Sequence, residues 1–184
     1  MIKKISLSNF KLHDDTEINM GGLTVLTGMN GMGKSSIIQA LLLLRQSYFS
    51  NDLENGLNLR GDFCDLGISG ELACQSSDKH DLKIDMDFSN QAPLSYSFLY
   101  PDNIMDTLLP ASEKNVSCRE KLAGYSLFNE NFQYISAFRF GPKKSYNRDT
   151  SLVVSKKQIS KMMGQCEYTI HFLEQYKNQP IQTK

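Results

Sequence analysis

The sequence has no apolar run near the ~18 residues that a membrane-spanning helix requires. Its longest, Ile37–Leu44, is interrupted by Gln39. The N-terminus MIKKISLSNF lacks the continuous apolar stretch of a secretory leader and alternates instead. A cytoplasmic protein with no membrane partner is therefore expected. Cysteines are few and unpaired in spacing: Cys64, Cys74, Cys118 and Cys166 form no CxxC or Cys–His pair. That argues against a zinc site and for reduced, structural thiols. Net charge is also missing, with 20 Lys and Arg against 20 Asp and Glu, so the chain as a whole is no polyanion binder. The charge is unevenly spread, however. Residues 50–115 are acidic, whereas 139–161 carry Arg139, Lys143, Lys144, Arg148, Lys156, Lys157 and Lys161 against Asp149 alone. Such a segment faces either phosphates or plain solvent.

What is present is an alternation of strand-like and helix-like runs. Residues 2–9, with Ile2, Ile5 and Leu7 as the apolar set, and 16–20 (TEINM) read as strands. Gly21-Gly22 is a turn signal, so 16–20 and 23–27 are expected to pair as a hairpin. Residues 23–27 (LTVLT) read as a buried strand and Ser35–Tyr48 as a largely buried helix, apolar on nearly all sides. Residues 51–61 look like an irregular connection, and 68–75, 82–88 and 94–100 look like strands. In DLKIDMDF (81–88), Leu82, Ile84, Met86 and Phe88 face one way and Lys83, Asp85 and Asp87 the other, which predicts an antiparallel strand with one wet face. Short helices are expected at 103–109 and 113–124, an inner strand at 132–140 ended by Gly141-Pro142, and helices at 155–163 and 167–177.

Between the run 23–27 and the helix lies Gly28-Met29-Asn30-Gly31-Met32-Gly33-Lys34-Ser35, a full GxxxxGK[ST] match. Each position has a physical reason. Glycines at 28, 31 and 33 permit backbone angles that turn successive N–H groups inward around a phosphate, with Asn30 and Met32 supplying amides between them. The helix start adds its positive dipole end and free donors. Lys34 reaches the β- and γ-phosphates and is the candidate catalytic group, Ser35 is the candidate Mg²⁺ ligand, and Ser36 can donate to the α-phosphate. ATP and Mg²⁺ are the expected cofactors. Other parts of a hydrolytic site are absent: no four apolar residues precede an Asp-Glu pair. Gly67–Glu71 faintly echoes an LSGGE signature, but lies too early in the chain and reads as a strand entry. His13, His80 and His171 suggest no catalysis or metal binding.

The loop GMNGMGKSS resembles the GxNGxGKS variant of RecF, SMC and related ABC-type ATPases. Ile5–His13 (ISLSNFKLH) resembles the "NFKSF" opening of those families, and Asp15–Ile18 their second strand. Residues 134–139 (YISAFR) with Gly141-Pro142 resemble the "YISAxRxGP" strand of bacterial AAA-type ATPases related to OLD and Septu anti-phage systems. Gly164–Leu173 resembles the "GEYTxxFL" helix start that follows in that group. The resemblance implies an α/β P-loop NTPase fold of ABC-ATPase type, with a mixed sheet, an antiparallel β subdomain and an incomplete C-terminal lobe. Residues 1–184 would be the N-terminal part of one head: strands, loop and first helix in 1–50, an antiparallel insert in 51–131, and an inner strand, basic loop and helix in 132–184. The chain would then be a truncated piece or one part of a split protein. Lys11 occupies the families' early basic position near phosphate or DNA. Gln133, or less well Gln75, is the candidate Q-loop residue, and Arg139 either orients a phosphate or pairs structurally.

Three functions compete on this reading. The first is an ATPase whose nucleotide state drives a homodimer or higher oligomer through its heads and controls an effector, commonly a nuclease, in phage defence. The second is a nucleotide-binding regulatory module without hydrolysis. The third is a RecF-like DNA repair protein whose basic segment 139–161 contacts DNA.

Overall fold

The computed structural model describes residues 1–112, 119–137, 144–161 and 164–180. The chain divides into two compact units, Met1–Phe128 and Asn129–Lys184.

The first unit is built on a four-stranded sheet. Its strands are β1 (Ile2–Phe10), β2 (His13–Asn19), β4 (Asp81–Phe88) and β5 (Leu94–Leu99), in the order β2-β1-β4-β5. Every pairing is antiparallel. Period-2 alternation sets the register. Leu7 lies opposite Thr16 on one side and Ile84 on the other, and Ile84 lies opposite Tyr96. One face thus collects Ile5, Leu7, Leu82, Ile84, Met86, Tyr96 and Phe98, all essentially inaccessible. The other face is wet and laced with ion pairs such as Lys4–Glu17 and Lys83–Asp81.

Helix α1 spans Lys34–Phe49, close to the predicted Ser35–Tyr48. Its C-terminal half is buried, from Leu42 through Tyr48. Two short strands, β3 (Gly56–Asn58) and β6 (Leu108–Pro110), pair antiparallel alongside. Gln46 of α1 stitches the 58–66 connection to the helix: its amide nitrogen donates to the Asn58 carbonyl, and its oxygen accepts from the Cys64 amide. Burial there pushes the Cys64 thiol up to about 12. Arg45 donates to the Leu127 carbonyl and stacks against Phe49 and Phe63. Burial lowers its guanidinium to about 10. A short helix, α2 (Arg119–Leu122), precedes a 3₁₀ turn at Ser126–Phe128.

Several expectations are corrected. Residues 23–27 are not a strand, and the hairpin with 16–20 does not form; β2 pairs with β1 instead. A run that is apolar on both faces needs ladder partners and cover on both faces to persist as a strand. Here Leu23 is 86% exposed and Val25 69%. The parallel part of a mixed sheet is accordingly absent among the described strands. Residues 68–75 hold a 3₁₀ turn at Ser69–Glu71 rather than a strand, and 103–109 are not helical but lead into β6. The irregular connection at 51–61 contains β3, whose three residues are too few to show a period.

The second unit holds α3 (Thr169–Tyr176), within the predicted helix 167–177, and a five-residue π turn at Ser151–Ser155. No strand is formed at 132–137, the described part of the expected inner strand. Residues 156–161 are not helical either. The remainder of these predictions, residues 138–140 with Gly141-Pro142, residues 162–163 and residues 113–118 with Cys118, lies outside the described residues. No helix among the described residues is long and apolar enough to cross a membrane.

Candidate nucleotide site

The loop that precedes α1 begins with Gly28 at φ 145° and bends twice more through Gly31 (φ 82°) and Gly33 (φ 78°). Side chains resist this left-handed region, so the three glycines are the residues the bend needs. A methyl group added at Gly28 or Gly31 would meet open space. Gly33 is different: a Cβ there would lie 2.6 Å from His13 Nε2. The Lys34 ammonium folds back on the loop and donates to the carbonyls of Gly28 (2.8 Å) and Met29 (2.6 Å). It closes the arc from the inside. Ser35 is exposed at the first turn of α1, and Ser36 is buried with its amide donating to the Gly33 carbonyl.

A cavity of about 290 Å³ opens on this arc, lined by Asn30, Gly31, Met32, Gly33, Lys34, Ser35 and Ser36 together with Lys11 and Leu12. All candidate loop residues except Gly28 thus share one cavity wall with Lys11. Two residues at positive φ, Asn9 (54°) and Lys11 (54°), turn the chain between β1 and β2 and bring Lys11 there. Asn9 holds the turn. Its side-chain amide donates to the carbonyls of Lys79 and Asp81, its side-chain oxygen accepts from the Cys74 amide, and Tyr100 Oη donates to its carbonyl. Phe10 is fully buried between them. The Lys11 amide donates to the Leu72 carbonyl, and its ammonium donates to Gln39 Oε1 of α1 at 2.8 Å. Burial lowers the Lys11 pKa. Lys11 is thus a partly desolvated cation on the same cavity wall as the first residues of α1.

His13, which the sequence marks as ordinary, is buried beneath the loop. Nε2 lies 3.0 Å from the Gly33 carbonyl and Nδ1 3.0 Å from Thr16 Oγ1. A carbonyl only accepts, so Nε2 carries the proton and, in the neutral ring, Nδ1 accepts from the Thr16 hydroxyl. Gln39 was likewise missed. The only sequence signal for either was proximity to the loop or to the NFK turn.

Of the remaining candidates, Gln75 is exposed and does not line the cavity, and Gln133 is exposed in the second unit. Arg139 and Lys143 lie outside the described residues. Within the second unit, two basic side chains are already engaged: Arg148 with Glu174 (2.9 Å) and Lys161 with Asp149 (3.7 Å). The Ser136 amide donates to the Gly164 carbonyl, and a Cβ on Gly164 would strike Tyr134 and the Ser136 nitrogen. Residues 134–136 are therefore in backbone contact with Gly164.

The profile of the AAA ATPase domain family matches residues 1–183. The chain belongs to that family. A 42-residue stretch, 22% of the chain, is 50% identical to the DNA double-strand break repair Rad50 ATPase of Methanococcus maripaludis. It covers 4% of that protein, so the chain spans only a small part of this relative's length. The bent loop, the lysine at its helix start and the open space beside Gly28 and Gly31 fit what an ATPase domain asks of a phosphate loop.

Proposed function

We propose that the arc Gly28–Ser36, with Lys11 beside it, binds the phosphates of ATP with Mg²⁺. The observation that carries this is the convergence of Lys11, Lys34 and the first amides of α1 on one cavity. Asn30 through Ser36 would direct backbone amides at phosphate oxygens, and Lys34 would exchange its two loop carbonyls for the β- and γ-phosphates. The Ser35 hydroxyl would ligate Mg²⁺, which when bound neutralises charge on those oxygens. Among the described residues no Asp or Glu lines the cavity, and no four apolar residues precede an Asp-Glu pair in the sequence. The chain is therefore expected to bind nucleotide with no turnover of its own. Calorimetric titration with Mg-ATP tests the site: Lys34→Ala should remove most of the binding, and equal affinity in the variant refutes it.

We further propose that the domain serves as the nucleotide-binding half of an ABC-type head, dimerising through its heads and controlling a DNA- or nuclease-related effector in phage defence. The resemblance of 134–139 and 164–173 to OLD- and Septu-related ATPases supports this. Sedimentation with and without Mg-ATP checks it, and a mass unchanged by nucleotide counts against head pairing. A non-hydrolysing regulatory module is the second reading, favoured by the missing run of four apolar residues before an Asp-Glu pair. A RecF-like role on DNA is the third, and it requires affinity that falls steeply with salt.

A further inference from the structure

We infer that His13 is a positioning residue for the phosphate loop: its imidazole is the seat on which the loop's last peptide rests, and it thereby sets nucleotide affinity. The inference deepens the phosphate-loop reading and rests on it.

Three observations converge. First, His13 Nε2 and the Gly33 carbonyl are 3.0 Å apart, and the same carbonyl accepts the first amide bond of α1, from Ser36. One oxygen is thus held from β2 and from the helix at once. Second, the ring packs so closely on Gly33 that a Cβ would approach Nε2 to 2.6 Å and Cε1 to 3.0 Å. The contact fixes the peptide by shape as well as by hydrogen bonding, and φ 78° at Gly33 is the conformation it fixes. Third, the ring itself is immobilised. His13 is 6% exposed, sits in register opposite Phe10, and has Nδ1 bonded to Thr16 of its own strand.

The consequence follows from the geometry of helix-start sites. The Lys34 amide shares the Gly33–Lys34 peptide plane with the Gly33 carbonyl, and a plane free to rotate would spread this donor over many directions. Ordering the loop before binding removes part of the entropy cost of gripping a phosphate. His13 never needs to touch the nucleotide to do this.

The test compares Mg-ATP affinity by calorimetry in the unmodified 184-residue chain, Lys34→Ala, His13→Leu and His13→Gln, each checked for fold by circular dichroism. His13→Leu removes the donor while keeping bulk, and about tenfold weaker binding is expected for one lost hydrogen bond and its ordering. His13→Gln places an amide N–H near the Nε2 position and should recover most of that loss, which mere filling of space would not do. Binding that Lys34→Ala abolishes but His13→Leu retains in full overturns the inference alone. No binding by the unmodified chain overturns the phosphate-loop reading and the inference together. Should His13→Leu not fold, imidazole ¹⁵N spectra of the unmodified chain decide. The Nε2–H tautomer, with resonances that move when Mg-ATP is added, supports the seat. An Nδ1–H tautomer, or resonances that bound nucleotide leaves unmoved, overturns it.

Discussion

The two ends of the phosphate loop are built to different standards. The downstream end is seated: Gly33 rests on His13, Lys34 begins a helix that is buried from Leu42 to Tyr48, and Lys11 reaches Gln39 from the β1–β2 turn. The upstream end, 21–29, has no ladder partners and only Leu26 half-buried, although Leu23, Val25 and Met29 are apolar. After β2 ends at Asn19, no named element begins until Lys34. In that interval the chain comes back to His13, at the start of β2, having retraced roughly 20 Å with no strand pairing. Positioning a phosphate site requires one rigid end and tolerates a loose one. The loose end is tied by the Lys34 ammonium on the Gly28 and Met29 carbonyls rather than by packing.

The sharpest break in that comparison is a pair of truncations. Leu44→Ala, at a fully buried position in α1, should cost about 2–5 kcal/mol in denaturant unfolding. Val25→Ala at the exposed end should stay within ~0.5 kcal/mol. A large loss for Val25→Ala would mean that the strand it was expected to form is covered and paired in solution. Next in size is Asn9→Ala. It removes three hydrogen bonds from a buried side chain at φ 54°, leaves backbone groups of Cys74, Lys79 and Asp81 to find new partners, and should cost about 2–3 kcal/mol. Because the same turn carries Lys11, Mg-ATP affinity should fall with it even at temperatures where the variant is folded.

The contrast also marks how far the sequence could be read. Strands β1, β4 and β5 were legible because each has one period and one dry face, and helix α1 because it is dense in helix formers and apolar on nearly all sides. Leu82, Ile84, Met86 and Phe88 were assigned to the buried side from alternation alone, and all four are buried. The glycine-lysine loop was legible because its chemistry is local in sequence. Residues 23–27 misled because apolar, β-branched composition states a preference for strand, but a strand exists only where a neighbour supplies hydrogen bonds. His13 and Asn9 were hidden for the opposite reason. Their roles rest on contacts 20 and more residues away, and nothing in ASN-PHE-LYS as a string says that Asn9 must take a left-handed backbone and hold three carbonyl or amide groups at once. The adjacency of 134–137 to 164 has the same character, since it is carried by two backbone groups and a missing side chain.

A smaller effect separates two glycines within the loop. Gly33→Ala meets both a left-handed backbone and the His13 ring, whereas Gly31→Ala meets the backbone penalty alone, about 1–2 kcal/mol, over open space. Gly33→Ala should therefore be the more destabilising in thermal melts, and a double variant with His13→Ala should recover the steric part and leave the backbone part. Equal melts for the two single variants would deny the seat its rigidity.

The smallest expected effect concerns the surface that braces the β1–β2 turn. Lys79 donates to Ser8 Oγ, the Asp14 carbonyl and Asp15, and Lys4 pairs with Glu17. The bond from Lys79 holds the Asp15 carboxyl below its ordinary value, and that from Lys4 does the same for Glu17. A carboxyl depressed on folding stabilises the folded state above its unfolded pKa, and that contribution is lost as pH falls through the folded value. Stability should thus be flat from neutrality down to the ordinary carboxylate range and decline below it. Both groups are fully exposed, so salt screens them and the decline is shallow. Lys79→Ala should flatten the acid limb of a melting-temperature profile without moving its neutral plateau by more than about a degree or two. An equally steep limb in that variant would place the acid sensitivity elsewhere, away from the turn that delivers Lys11 to the loop.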